Sequence, residues 1–107
     1  MSTLTPVTDA TFDSEVLASK LPVLVDYWAD WCAPCRQLTP IIEELASSYE
    51  GKVKFVSVDA DANTGLAAGH DIRALPTVQI YAHGELQDAM IGSVTKMKLR
   101  QALDSLI

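Results

Sequence analysis

The chain has 107 residues, of which 49% are hydrophobic and 21% are charged. These proportions predict one globular domain spanning residues 1–107, and they exclude a disordered chain. Acidic residues outnumber basic ones by 14 to 8, which gives a formal net charge of −6, so nucleic acid and anionic membrane surfaces are not expected as partners.

The N-terminal sequence, Met1 to Leu4, lacks the basic region and the apolar stretch of a secretory signal. No apolar run in the chain is long enough to cross a bilayer. We therefore expect a cytoplasmic protein. In that compartment a cysteine pair is more often catalytic than structural.

Two elements are predicted ahead of the cysteines. Thr8 is a candidate N-cap, with Asp9 in the first turn and apolar residues at helical spacing up to Lys20. Residues 23–29 form an apolar, β-rich run that is typical of a strand buried on both faces of a parallel sheet. This strand leads directly into the sequence Trp31-Cys32-Ala33-Pro34-Cys35.

Cys32 and Cys35 are the only cysteines, and they lie where the next helix is predicted to begin. Side chains three residues apart share one face of a helical turn, so the two sulfurs can form a disulfide. The free N–H groups and the positive dipole end of a helix N-terminus stabilise a thiolate. Cys32 is therefore predicted to be the attacking thiol, and Cys35 to keep its proton. Pro34 suits a helix start, where its missing N–H has no partner to lose.

Two other interpretations of the cysteine pair remain open. A zinc site would need His70 and His83 as further ligands, and their separation does not match the spacing of such sites. A purely structural disulfide stabilises little when it closes so short a loop, and it is rare without secretion. Both histidines are expected to be solvated loop residues.

The helix after the cysteines carries the strongest periodic signal, because one stripe of it is apolar: Leu38, Ile41, Ile42, Leu45 and Tyr49. Gly51 follows at the position of a C-terminal cap. Pro40 lies inside the pattern and removes a backbone hydrogen bond. We expect one long helix, bent near Arg36 and Gln37.

Residues 53–58 predict a second core strand, and residues 63–70 predict a short helix weakened by two glycines. The strands at 23–29 and 53–58, joined by the long helix, form a βαβ unit and are therefore parallel. In such sheets the reactive site lies beyond the carboxyl ends of the strands, which is where the cysteines fall.

A hairpin and a helix complete the chain. His83-Gly84 predicts a tight turn between antiparallel strands at residues 77–81 and 86–91. A closing amphipathic helix is predicted after Ser93 or Thr95. The order of elements gives an α/β fold with a mixed sheet and helices on both faces.

Asp26 lies in the middle of the apolar run 23–29. A buried, unpaired carboxylate is strongly destabilising, so such a group normally stays protonated. We predict that Asp26 has a raised pKa and exchanges a proton with Cys35 during the reaction. The alternative is that Asp26 reaches solvent at a strand end.

These features together resemble the thioredoxin family over essentially the whole chain. The residues that carry the resemblance are Asp26, Trp28-Ala29-Asp30-Trp31-Cys32-Ala33-Pro34-Cys35, Pro40, Asp59 to Asp61, Ile72-Arg73, Pro76-Thr77, Gly84 and Gly92. The resemblance implies a three-layer sandwich in which a mixed five-stranded sheet is flanked by four helices. It also implies a monomeric protein-disulfide reductase that maintains redox homeostasis, reduces disulfide-containing proteins and is recharged by thioredoxin reductase.

The resemblance implies roles for individual residues as well. Trp31, Ala74, Leu75, Pro76 and Gly92 would form the flat apolar patch on which partner proteins dock. The Leu75-Pro76 bond would be cis, whereas base rates alone predict a trans bond. The sulfur pair is itself the redox group, so no metal, nucleotide or flavin is expected as a cofactor.

The expected mechanism has two steps. The Cys32 thiolate attacks a substrate disulfide, and Cys35, deprotonated with help from Asp26, then attacks Cys32 and releases the reduced substrate. Two alternative functions remain open. Related oxidases and isomerases usually carry His where this chain has Pro34, and a non-catalytic binding subunit would use only the apolar patch.

Three residues depart from the usual family pattern. Ala33 and Ala74 replace common glycines, and Ala74 is one of the residues of the docking patch. The methyl group of Ala33 lies in the ring that changes shape between dithiol and disulfide, so Ala33 and Pro34 are expected to tune the redox potential. Ser57 stands where many relatives have Lys, so Asp26 is expected to protonate more easily in this chain.

Overall fold

The computed structural model describes residues 4–107. Its centre is a sheet of five strands in the order β1-β3-β2-β4-β5. The strands are β1 (Thr5–Pro6), β2 (Val23–Trp28), β3 (Lys54–Asp59), β4 (Thr77–Ala82) and β5 (Glu85–Ile91). The helices are α1 (Asp13–Leu17), α2 (Ala33–Ser48), α3 (Thr64–Gly69) and α4 (Lys96–Asp104). The mixed sheet with four helices is confirmed, while Met1, Ser2 and Thr3, on which the signal-sequence argument partly depends, lie outside the described residues.

The central strand, β2, pairs in parallel with β3 and antiparallel with β4. Its residues from Val23 to Tyr27 are all buried, as predicted for a strand with neighbours on both sides. Successive side chains point to opposite faces of a sheet. Leu24 therefore packs with the apolar residues of α2 and α4, whereas Val25 and Tyr27 pack with those of α1 and α3.

The long helix α2 is unbroken over 16 residues and continues through Pro40, so the prediction of one helix is confirmed. Leu38, Ile42 and Leu45 of the predicted stripe are buried. Gly51 follows shortly after the helix with a φ of 81°, in the left-handed region that glycine favours beyond a helix end.

The first helix is shorter than predicted. In α1 the amide of Ala18 donates to the carbonyl of Asp13, five residues back, which is a π-type turn. Asp9 lies outside the helix, because its carboxylate accepts a hydrogen bond of 2.8 Å from the amide of Leu66 near the start of α3. A helix in this region is confirmed, but the predicted bounds from Thr8 to Lys20 are too wide at both ends.

His70 is less exposed than predicted. It is the C-cap residue of α3 and is half-buried, with its ring centroid 4.6 Å from that of Phe12 and its Nδ1 2.9 Å from the Tyr81 hydroxyl. The expectation of a solvated loop residue is therefore wrong for His70. Its burial could not be predicted, because both ring partners belong to other elements of the fold. His83 is exposed in the turn between β4 and β5, as expected.

The last elements follow the predicted pattern. β4 and β5 are antiparallel, and His83 and Gly84 between them have φ values of 55° and 77°, as a tight hairpin turn requires. Thr95 is the N-cap of α4, and its hydroxyl accepts a hydrogen bond of 3.1 Å from the Lys98 amide. β1 pairs in parallel with β3, although no local pattern had indicated this short strand.

Candidate active site

The cysteine pair lies between the carboxyl end of β2 and the first turn of α2. Cys32 is the N-cap residue of α2, and its amide donates a hydrogen bond of 3.1 Å to the Ala29 carbonyl, which closes the loop from β2. Cys32 and Cys35 form a disulfide, with their Cα atoms 5.3 Å apart. The pair therefore lies where the sequence predicted it, beyond the carboxyl end of a parallel strand.

The start of α2 directs a backbone amide at one sulfur. The N–H of Cys35 donates to the Sγ of Cys32 over 3.2 Å, in the manner of an N-cap side chain bonded three residues into its helix. The positive end of the helix dipole acts on the same atom. A helix N-terminus of this kind is a place where proteins stabilise a cysteine thiolate.

Both sulfurs are shielded from water in the oxidised state. Cys32 and Cys35 are each 3% exposed, and they form a small apolar cluster with Ala29. Trp28 and Leu75 pack against this cluster. Electrostatic interactions are stronger in such low-polarity surroundings than in water.

Asp26 is a buried carboxyl group on the face of the sheet that α2 covers. It is 2% exposed, and its Oδ1 has no hydrogen-bond partner among the residues that the structure describes. Burial raises the pKa of Asp26 from the ordinary 3.8 to about 7, because the charged form is poorly solvated. The alternative of an Asp26 that reaches solvent at a strand end is wrong.

Asp26 lines a groove of about 360 Å³ beside the first turns of α2. The other residues that line it are Leu4, Pro6, Trp28, Arg36, Thr39 and Ser57. Ser57 is the register partner of Asp26 across β2 and β3, so the two side chains share one face of the sheet. The hydroxyl of Thr39 donates to the carbonyl of Cys35 over 3.0 Å. The groove therefore joins Asp26 to a residue that contacts the second cysteine.

Three of the five predicted docking residues line one surface groove. Trp31, Ala74 and Leu75 share a depression of about 230 Å³. Trp31 is 68% exposed, and its indole Nε1 donates to the carboxylate of Asp61 over 2.9 Å. This hydrogen bond orients a large aromatic ring whose faces are open to a partner.

The other two predicted docking residues are joined to each other. The Leu75-Pro76 bond is cis, as the family resemblance implied. The amide of Gly92 donates to the carbonyl of Pro76 over 2.9 Å. The chain at Gly92 is thereby held beside the segment that carries Ala74 and Leu75.

Sequence reasoning missed further residues near the site. A second depression, of about 130 Å³, is lined by Pro34, Gln37, Leu38, Ile41, Ser93 and Val94. Ile41 was assigned to the core stripe of its helix, and helical spacing alone cannot tell a core residue from one at the rim. Asp61 is one of the residues that carry the family resemblance, but no residue near it in the sequence indicated its hydrogen bond to Trp31.

Within residues 4–107, no group of three or more His, Cys, Asp or Glu side chains is arranged to hold a metal ion. Over the same range, no helix combines the length and the apolar character that a membrane crossing needs.

Comparison with known proteins finds relatives along nearly the whole chain. The family profile described as Thioredoxin matches residues 3–105. The chain is 47% identical to Thioredoxin 1 of Nostoc sp. and 46% identical to Thioredoxin 1 of Synechococcus elongatus, in each case over 97% of both proteins. It is 43% identical to the chloroplastic M-type thioredoxin of Pisum sativum, over 94% of this chain and 59% of that protein.

Proposed function

The chain belongs to the thioredoxin family and is a thiol–disulfide oxidoreductase, and from this premise we propose how its residues divide the reduction of protein disulfides. The observation that carries the proposal is the Cys32–Cys35 disulfide at the N-terminus of α2, with the Cys35 amide donating to the Sγ of Cys32. This disulfide is the product of the reaction. The reduced pair gives two electrons to a substrate disulfide and becomes oxidised itself.

Cys32 performs the first step. Its thiolate attacks one sulfur of the substrate disulfide, a Cys32–substrate bond forms, and the substrate S–S bond breaks. The other substrate sulfur leaves as a thiolate and takes a proton from solvent. The geometry supports Cys32 as the nucleophile because it is the N-cap residue, where the helix dipole and the Cys35 amide stabilise its charge.

Cys35 performs the second step with Asp26 as the proton acceptor. The carboxylate of Asp26 takes the thiol proton of Cys35, the new thiolate attacks Cys32, and the Cys32–substrate bond breaks to release the second substrate thiolate. A pKa of about 7 suits this exchange, because both forms of the carboxyl group are populated at neutral pH. The groove shared by Asp26 and Thr39, which bonds to the Cys35 carbonyl, supports this assignment.

The substrate docks on the apolar surface formed by Trp31, Ala74, Leu75, Pro76 and Gly92. An exposed aromatic ring that is already oriented offers contact area with little loss of conformational freedom. The 68% exposure of Trp31 and its bond to Asp61 support this role.

The remaining parts of the proposal concern partners and setting. Thioredoxin reductase recharges the pair, and the protein acts in the cytoplasm as a monomeric single domain, with no metal, nucleotide or flavin of its own. A net charge of −6 supports protein partners over nucleic acid or anionic membranes. Ala33 and Pro34, between the two cysteines, set the redox potential.

Two cysteine variants test the division of roles. Cys32→Ser should lose all insulin-disulfide reduction in an assay driven by NADPH and thioredoxin reductase. Cys35→Ser should complete the first step only, so its mixed disulfide with substrate should accumulate and be detectable by mass spectrometry. The assignment of the two cysteines would be refuted if Cys35→Ser turned over like the wild type, or if Cys32→Ser trapped the substrate on Cys35.

A further inference from the structure

A row of polar side chains crosses the apolar layer on the sheet face away from α2. The hydroxyl of Tyr27 donates to the Oε1 of Gln79 over 3.1 Å, and the hydroxyl of Tyr81 donates to the same oxygen over 3.0 Å. The Tyr81 hydroxyl also lies 2.9 Å from the Nδ1 of His70. Tyr27, Gln79 and Tyr81 are each at most 5% exposed. None of these four residues takes part in the sulfur chemistry described above.

The direction of the last hydrogen bond follows from a count of protons. Each tyrosine hydroxyl has one proton, and in both residues it is directed to Gln79. The oxygen of Tyr81 can therefore only accept from His70, so the Nδ1 of His70 carries a proton. Burial lowers the pKa of His70, while the nearby Asp13 acts in the opposite direction. His70 is thus the donor in its hydrogen bond to Tyr81.

His70 also marks where the docking segment, residues 71–76, begins. It is the C-cap of α3, and the docking segment contains Ala74 and Leu75. At the other end of the segment, the hydroxyl of Thr77 donates to the carbonyl of Ala74 over 2.6 Å. Because Tyr81 and Thr77 both belong to β4, each end of the docking segment is attached to the same strand.

Between these two attachments the docking segment is tied to α3 and to the core. The amide of Ile72 donates to the Ala67 carbonyl of α3 over 2.8 Å, and Leu75 packs against the cysteine cluster. Asp71 has a φ of 56°, a left-handed conformation that a non-glycine residue keeps only when its surroundings impose it. Asp71 and Arg73 form an ion pair of 2.8 Å, with side chains that are 74% and 83% exposed. An ion pair so exposed contributes little to stability. The start of the segment therefore follows the end of α3, to which the Ile72 amide is bonded.

We propose that His70 is a positioning residue for substrate docking. Its hydrogen bond to Tyr81 fixes the end of α3 and, with it, the docking segment. The proposal rests on the docking role given above to Ala74 and Leu75. The ring of Phe12, with its centroid 4.6 Å from that of the imidazole, also packs against His70. His70 touches neither the cysteines nor the substrate, so it acts only through the segment that follows it.

Two tyrosine variants form a matched test. Tyr27→Phe and Tyr81→Phe each remove one hydroxyl that donates to Gln79, and each keeps its ring, but only Tyr81→Phe removes the partner of His70. We expect Tyr81→Phe and His70→Phe to raise KM for insulin about fivefold with kcat retained. We expect KM to be unchanged in Tyr27→Phe. Reduction of hydroxyethyl disulfide, which is too small to need the docking segment, should proceed at one rate in all four proteins.

Equal KM values for insulin in Tyr27→Phe and Tyr81→Phe would overturn the proposal, because the polar row would then support the core alone. A slower reaction with hydroxyethyl disulfide in Tyr81→Phe would also overturn it, since the defect would then lie at the cysteines. Melting temperatures establish that each variant is folded, and the two tyrosine variants decide the matter even where His70→Phe does not fold. Failure of the wild type to reduce either substrate would refute the proposed function instead.

Discussion

Asp26 and Tyr27 are neighbours in β2 that face opposite sides of the sheet, and their polar groups meet opposite surroundings. The Oδ1 of Asp26 has no hydrogen-bond partner among the described residues, whereas the hydroxyl of Tyr27 donates to Gln79. A buried polar group without a partner lowers stability but remains available for proton exchange. A fully bonded one fixes the structure around it. On the proposals made above, one face of the sheet serves the reaction and the other holds the docking segment in place.

The largest effect expected from this contrast follows the replacement of Asp26 by Asn. The carboxyl group of Asp26 has a pKa of 3.8 in its ordinary state and about 7 in the fold. Between these values the folded state binds more protons than the unfolded state, so the free energy of unfolding falls as pH rises. The stabilisation is complete below the lower value and is lost once pH passes the higher one.

Asn does not titrate, so Asp26→Asn escapes this loss. The free energy of unfolding of the variant, relative to the wild type, should increase by about 4 kcal/mol between about pH 4 and about pH 8. Urea denaturation at the two pH values measures the change. A difference between the two proteins that is the same at both pH values would contradict the assignment.

On the face of the sheet that carries the polar row, a substitution is expected to lower the free energy of unfolding by a slightly smaller amount. Gln79→Leu leaves the hydroxyls of Tyr27 and Tyr81 without their acceptor, and the expected loss is about 3 kcal/mol of unfolding free energy. Gln87→Leu, at an exposed position of β5, is the matched control. If Gln79→Leu proved as stable as this control, the polar row would not be part of what holds this face together.

Ser57→Lys adds a positive charge beside Asp26. Residue 57 is the register partner of Asp26 and lines the same groove, so an ammonium group there should lower the pKa of Asp26 by about one unit. Carbon-detected NMR titration of the carboxyl group measures the pKa. Ser57→Met, of similar length and without charge, should not lower it. An unchanged pKa in Ser57→Lys would show that the carboxyl group is insulated from this position.

The smallest effect is expected between the cysteines. Ala33 is the first residue of α2, and Ala33→Gly should change the relative stability of dithiol and disulfide by less than 1.4 kcal/mol, which corresponds to about 30 mV. The redox potential should therefore shift within that range while insulin reduction continues. Equilibration with glutathione measures the potential, and loss of turnover in the variant would count against a purely tuning role.

The two faces also differ in how much of them the sequence could predict. An acidic residue inside an apolar run is visible along the chain, and the burial of Asp26 is confirmed. The polar row, by contrast, cannot be recognised along the chain, because Tyr27, Gln79 and His70 come from three elements that meet only in the folded protein. His70 was therefore expected in solvent, although it forms a specific contact with Tyr81.

The same distinction applies to the rest of the fold. The position of Cys32 at a helix start, the hairpin turn at His83-Gly84 and the cap at Thr95 follow from local rules of turns and helix ends, and all three are confirmed. The short strand at Thr5–Pro6 and the contraction of the first helix depend on pairing with β3 and on the bond from Leu66 to Asp9. Contacts of this kind are set by tertiary structure, which no pattern along the chain reports.

Transfer of the Cys35 proton to Asp26 should control the rate at which the mixed disulfide resolves. Stopped-flow fluorescence can follow this step in the wild type and in Asp26→Asn across a range of pH. We expect resolution in Asp26→Asn to be about 100-fold slower near pH 7 and to approach the wild-type rate at high pH, where Cys35 ionises unaided. Equal rates in the two proteins at neutral pH would contradict this role of Asp26.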